Sequence, residues 1–175
     1  MKIALKIIIG IVAFLIIVVG IGFILPAKYE VVRTINTTAS PDKIYAQIGD
    51  LKNWKDWGPW YENDKTIKST FSENTSSVGS FSQWTSEQDG PGKMTFNTVK
   101  NNEYLEYDLE FIDMQMKSKG SFTLEKDAAG TKITWKMWGD YGMNPISRYF
   151  GLFMDGMLGK DFEKGLANLK KNGEK

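Results

Sequence analysis

An uncharged apolar run from Ile7 to Leu25, IIIGIVAFLIIVVGIGFIL, limits most strongly what this chain can fold into. At about 1.5 Å per helical residue it matches the roughly 30 Å hydrocarbon core of a bilayer. A helix apolar on every side would need a much larger soluble protein around it. A cleaved signal peptide fits less well, because signal h-regions are about 7–15 residues and Leu25-Pro26-Ala27 is a poor small-x-small cleavage site. Lys2 and Lys6 lie before the run, while Lys28 and Arg33 follow it with Glu30 between them. The positive-inside rule then favours a cytoplasmic N-terminus and an exported C-terminal part, in a single-pass protein of the cytoplasmic membrane. The expected division is a short basic N-terminus over 1–6, a transmembrane helix over 7–25, a linker over 26–28 and one domain over 29–172. A three-residue linker is a tether on the order of 10 Å, which holds the domain against the headgroups.

The rest of the chain excludes several chemistries. Of 22 basic residues two precede the apolar run, so the remainder nearly balances the 21 acidic ones. That balance gives no footprint for nucleic acid. With no Cys there is no disulfide, thiolate nucleophile or Cys-bound metal, and with no His the commonest general base and metal ligand are missing. No Gly-rich phosphate loop or metal-ligand spacing occurs, so neither a cofactor nor a metal is expected.

Periodicity gives the architecture. Tyr29–Ile35 is rich in β-branched and aromatic residues and reads as a strand. Ser40-Pro41 is an N-cap followed by a first helical residue, with Ile44, Tyr45 and Ile48 at helical spacing. A second short helix or ordered loop covers Leu51–Trp60. From Lys65 the period becomes two, with strands over Thr66–Phe71, Ser80–Ser86, Lys93–Val99, Tyr104–Phe111, Lys119–Glu125 and Thr131–Trp138. Glycine- and asparagine-containing turns separate most of them. Leu105, Tyr107, Leu109 and Phe111 share one face, opposite Glu106, Asp108 and Glu110, which pair with lysines of neighbouring strands. Phe81 and Trp84 have opposite parity, which leaves either a bulge or a solvent-side tryptophan there. After Pro145, apolar residues recur at three and four, and the stripe rotates near Gly156 and Gly159, so a bend or two abutting helices is expected. The fold class is α+β: a transmembrane helix, then a curved antiparallel sheet of about seven strands, two small helices after the first strand, and a long C-terminal helix gripping the sheet.

The segment YEVVRTINTTASPDKIYAQIGDLKNWKDWGPW carries Ala39-Ser40-Pro41, Ile44-Tyr45, Asp50-Leu51, Trp54, Trp57 and Pro59-Trp60. In that order it resembles the opening of polyketide cyclase/dehydrase-type members of the SRPBCC (START-like) superfamily. Gly130–Trp135 is similar to the family's last strand, and Gly159–Glu163 through Leu169 to its closing helix. The resemblance implies a helix-grip fold with a cavity between sheet and helix. Its members bind lipids, sterols, polyketides and other apolar molecules, and some are enzymes.

Parity assigns the lining of such a pocket to Met94, Phe96, Leu105, Tyr107, Leu109, Phe122, Leu124, Trp135 and Met137, with Phe150, Phe153 and Met157 closing it from the helix. The same face is buried equally well as a solid core. Trp54, Trp57 and Trp60 suit a pocket mouth at the membrane boundary, or a wedge holding the small helices on the sheet. Arg33 shares the face of Val31 and Ile35, from which it reaches either a ligand carboxylate or solvent. Asp155 and Asp161 are more at home in solvent than in the pocket. Catalysis has one weak candidate, Tyr107. The expected partner is a lipid or other apolar small molecule, reached from the membrane through Ile7–Leu25. A cyclase-, dehydratase- or hydrolase-type enzyme and a solid protein-interaction domain are the rival readings.

Overall fold

The structure, a computed structural model, describes residues 2–175, with side chains from Ile3 onward. All of the apolar run but Leu25 lies in a helix that starts earlier, α1 (Lys2–Ile24), exposed along nearly all of its length. Then follow strand β1 (Lys28–Thr37), helix α2 (Pro41–Ile48), a 3-10 helix (Leu51–Asp56) and helix α3 (Pro59–Asn63). Six strands come next: β2 (Lys68–Phe71), β3 (Phe81–Thr85), β4 (Gly92–Lys100), β5 (Tyr104–Phe111), β6 (Met116–Asp127) and β7 (Gly130–Asp140). Helices α4 (Ser147–Gly151) and α5 (Met154–Gly173) close the chain. One antiparallel sheet has the order β1-β7-β6-β5-β4-β3-β2, so the first strand crosses to pair with the last. This is the helix-grip arrangement that the periodicity predicts, with α5 packed along the inner face.

The small helices are held by side chains that answer unpaired backbone groups. The last carbonyls of a helix have no partner within it. Those of α2 receive Asn53 Nδ2 at Ala46, Trp57 Nε1 at Gln47 and Trp54 Nε1 at Ile48, at 2.8, 3.1 and 2.8 Å. Asp50 caps the 3-10 helix by accepting from Lys52 N at 2.9 Å. Trp54 and Trp57 are thus buried wedges, not a membrane rim, and Trp60 is half-buried against Trp135.

The parity conflict at β3 resolves without a bulge in that strand. Ser82 and Trp84 turn inward, and Phe81 faces out beneath Lys93, 4.7 Å from its ring centre. The irregularity lies in β4, where the register with β5 slips between Phe96 and Thr98. On the outer face Lys119 meets Glu106 and Asp108, and Lys117 meets Glu110, as cross-strand pairing predicts.

The C-terminal element does break into two helices, but at Leu152-Phe153, ahead of both glycines. Gly156 and Gly159 lie within α5. Its buried stripe runs through Met154, Gly159, Phe162, Gly165, Leu166 and Leu169. Gly159 is needed for a close approach: a Cβ there would overlap the guanidinium of Arg33. Arg33 donates to both carboxylate oxygens of Asp155, at 2.7 and 3.1 Å, and to Glu163 at 2.8 Å. These acids stand one turn to either side of the glycine. Arg33 therefore stays partly in solvent, as its stem allows, and clips β1 to α5. The pair holds the Arg33 guanidinium above its ordinary pKa and the Asp155 carboxyl below the usual carboxylate range.

The connector from α1 to β1 is pinned at several points. Tyr141 N donates to Ala27 O at 2.9 Å. Arg148 donates to Phe23 O at 2.8 Å, to Leu25 O at 3.2 Å and to Gly142 O at 2.7 Å. A cation at a helix C-terminus satisfies orphan carbonyls and complements the dipole. Tyr149 Oη donates to Val18 O at 2.7 Å, and Gly22 packs against Pro145.

Candidate functional site

Along the sheet's inner face, bulk varies from one end to the other. At the end far from α1, Leu124, Ile133, Ile44, Ile48, Leu166 and Leu169 fill the space between sheet and helices. In the middle, Trp135 stacks on Phe162 at 4.0 Å and on Phe122 at 4.8 Å, with Trp57 edge-on at 5.3 Å. Toward the α1 end β6 turns the small residues Gly120 and Ser118 inward, with Met116 half-buried at its start. Tyr107 lies flat over Gly120, where a Cβ would collide with its ring. Beyond the Tyr107 ring a cavity of about 110 Å³ opens, bounded by Ser82, Trp84, Met94, Leu109, Phe111 and Met137 of the sheet and by Leu158 and Phe162 of α5.

Six of the residues assigned by parity and by the tryptophan cluster meet at this cavity: Trp54, Trp60, Met94, Tyr107, Leu109 and Met137. Trp57, Phe96, Leu105, Phe122, Leu124 and Trp135 stand behind the wall as solid core. Phe150, Phe153 and Met157 do not close it; they are 60%, 62% and 63% exposed. The reason is the helix break. Phe150 belongs to α4, Phe153 to the junction, and Met157 sits off the buried stripe of α5. Leu158 and Phe162 face the cavity instead. Periodicity also missed Ile67, Ser82, Trp84 and Phe111. Trp84 and Phe111 carried a usable signal, since each shares parity with inward residues of its own strand.

The walls are overwhelmingly apolar, with a few polar atoms among them. Tyr107 Oη accepts from Trp135 Nε1 at 2.9 Å, and its own hydrogen has no acceptor among the described residues. Burial pushes this phenol well above its ordinary pKa, against the lowering effect of the Trp135 bond. It is a fixed donor rather than a base. At the cavity margin Ser86 Oγ donates to Asp64 Oδ2 at 2.6 Å, while Thr66 N and Oγ1 donate to Oδ1 at 2.7 and 2.6 Å. Asp64 is 2% exposed, and these donors hold its carboxyl below the usual carboxylate range. Ionised and saturated, it ties α3 to the loop after β3. Among the described residues no three acidic side chains converge as metal ligands.

Known structures share this architecture. A protein of unknown function from Staphylococcus aureus superposes with a TM-score of 0.64 at 12% identity, covering 84% of this chain and 94% of its own. A Mesorhizobium loti protein gives 0.61 at 15% identity, covering 82% and 95%. The di-domain ARO/CYC StfQ of the steffimycin biosynthetic pathway gives 0.61 at 10% identity, covering 85% of this chain and 51% of StfQ. At such identities the likeness shows the fold alone. No curated protein matches. The family described as "Polyketide cyclase / dehydrase and lipid transport" matches residues 26–174, which cover every element after α1. This chain belongs to that family, within the SRPBCC superfamily that its opening segment resembles.

Proposed function

We propose that this protein is a membrane-anchored binder of an apolar small molecule or lipid, held between the sheet and α5. On this reading residues 7–25 cross the cytoplasmic membrane, 26–28 connect, and 29–172 form the domain on the far side. The observation that carries it is the cavity itself: an apolar recess, walled by Trp, Met and Leu side chains, with one unpaired buried donor at Tyr107. Aromatic and thioether walls adapt to varied apolar shapes, and a single fixed donor orients a carbonyl or hydroxyl. Its volume of about 110 Å³ lies below the ~300 Å³ at which small-molecule pockets usually begin. A ligand of ordinary size therefore needs the recess to widen, through movement of α5 or the loops beside it. Burying a ten-carbon chain contributes roughly 8 kcal/mol before ordering costs, enough to offset such a movement.

A domain fixed to its anchor does not ferry cargo between membranes. Sensing, buffering or presenting a ligand suits it better. A cyclase-type reading would need an acid or base inside the cavity; the one carboxylate in its lining, Asp89, is exposed at the margin.

The test is saturable binding of an apolar fluorescent probe to the full chain in lipid nanodiscs, compared with Met94→Trp, which fills the recess. The expected result is saturable binding in the parent and its loss in the variant. Equal binding by both proteins, or none by the parent, would overturn the proposal.

A further inference from the structure

Exposed large apolar side chains are not spread evenly over the domain. Apart from Val32 and Val78, they form two groups. One is Ile112 and Met114 in the turn between β5 and β6; the other is Met143, Ile146, Phe150, Leu152, Phe153 and Met157, on and around α4. The register places both at one end of the sheet. Phe111 faces Met116, Ser118 faces Gly139, and Asp140 faces Lys28, where β1 leaves α1. The stretch Tyr141–Met154 contains no acidic residue, and its one cation, Arg148, is occupied by carbonyls.

Depth follows from two contacts. Tyr149 Oη on Val18 O and Gly22 against Pro145 set this segment alongside the last two turns of α1. Val18 lies about 9 Å below the end of α1 at 1.5 Å per residue. An interfacial helix buries its apolar face by about 5–10 Å. A segment clamped at that depth beside a spanning helix meets lipid with whatever it exposes, and here it exposes phenylalanine, leucine, isoleucine and methionine.

We propose that α4 with its flanks, and the β5–β6 turn, form a second membrane contact: two apolar lips seated in the headgroup–acyl boundary. This rests on the reading of α1 as a membrane anchor. The cavity lies next to both lips along the chain. Its wall residues Phe111 and Leu158 directly adjoin the lip residues Ile112 and Met157. The lips do not line the cavity themselves; they seat the end of the domain that holds it against the boundary.

Because the chain has no Cys, any introduced cysteine is unique. Full-length Phe150→Cys, Ile112→Cys, Leu15→Cys and Asn101→Cys, each labelled with an environment-sensitive fluorophore, are placed in phosphatidylcholine vesicles with acyl-brominated lipid as quencher. Leu15 reports the anchor, and Asn101, at the opposite end of the sheet, reports water. Labels at 150 and 112 are expected to be blue-shifted and quenched comparably to that at 15, with 101 unquenched. Quenching at 15 but not at 150 and 112 would overturn the lips while leaving the anchor intact. No quenching at 15 would overturn the anchor, and the lips with it. Shielding at 150 that depends on protein concentration and not on brominated lipid would assign the patch to a second copy of the chain and overturn the proposal.

Discussion

The two ends of the sheet–helix layer are built from the same strands and the same helix, yet they are packed in opposite ways. Far from α1, aliphatic side chains interlock beneath α2 and the C-terminal half of α5. Near α1, the inward positions of β6 include glycine and serine, α5 gives way to a broken helix, and a recess remains beneath β3, β4 and β5. The aromatic layer of Trp57, Phe122, Trp135 and Phe162 is the wall between them. The difference teaches that stability and adaptability are divided lengthwise along each strand. One half fixes the curvature of the sheet and the line of α5, so the other can stay underfilled without the fold losing definition.

The strongest test of this division is the wall. Trp135→Ala should cost about 3–5 kcal/mol in denaturant unfolding, the range for removing a large buried aromatic. A cost near that of a surface substitution would show that the wall is not shared by both halves. Next, Gly165→Val places a side chain against the ring of Trp135, where even a Cβ would stand 2.7 Å away. Overpacking there should destabilise by about 1–3 kcal/mol. Ser82→Val adds bulk to the recess instead and should be neutral or stabilising by up to about 0.8 kcal/mol, the value of one buried methylene. If both substitutions destabilise equally, the open end is not open.

Acid supplies a third comparison. Asp64 is held below its unfolded pKa, so its stabilising contribution is complete above the unfolded value, about 3.9. It is lost as pH falls through the lower, folded value. Asp64→Asn should therefore lower Tm at neutral pH and flatten the fall in Tm on acidification, and an unchanged acid slope would refute the role given to Ser86 and Thr66. The smallest effect belongs to Glu163→Gln. It removes one exposed partner of Arg33 while Asp155 remains, and should cost only about 0.5 kcal/mol.

The two halves also differed in how legible they were. Alternation in Tyr104–Phe111 and Thr131–Trp138 and the spacing of Phe162, Leu166 and Leu169 led to the helix-grip fold, while the family came from the resemblance carried by the opening segment, the last strand and the closing helix. Local periodicity is the physical cause of those elements. Phe150, Phe153 and Met157 misled for the same reason. A stripe marks a side that avoids water, and three residues beside a membrane-length helix can do so without joining the core. The indole bonds of Trp54 and Trp57 end on carbonyls of another helix, and the niche for Arg33 depends on a glycine far away in the chain. Neither is encoded in local spacing.

Arg148 has a mechanical consequence. Its guanidinium gathers carbonyls from the end of α1 and from the loop after β7 into one knot. These bonds oppose a swivel between helix and domain, so that turning α1 about its long axis tends to carry the sheet with it. With α1 in a bilayer, the azimuth at which that helix faces its neighbours is also the azimuth of the cavity. On the proposed function, a helix settling against α1 would then also set the direction from which a ligand reaches the site.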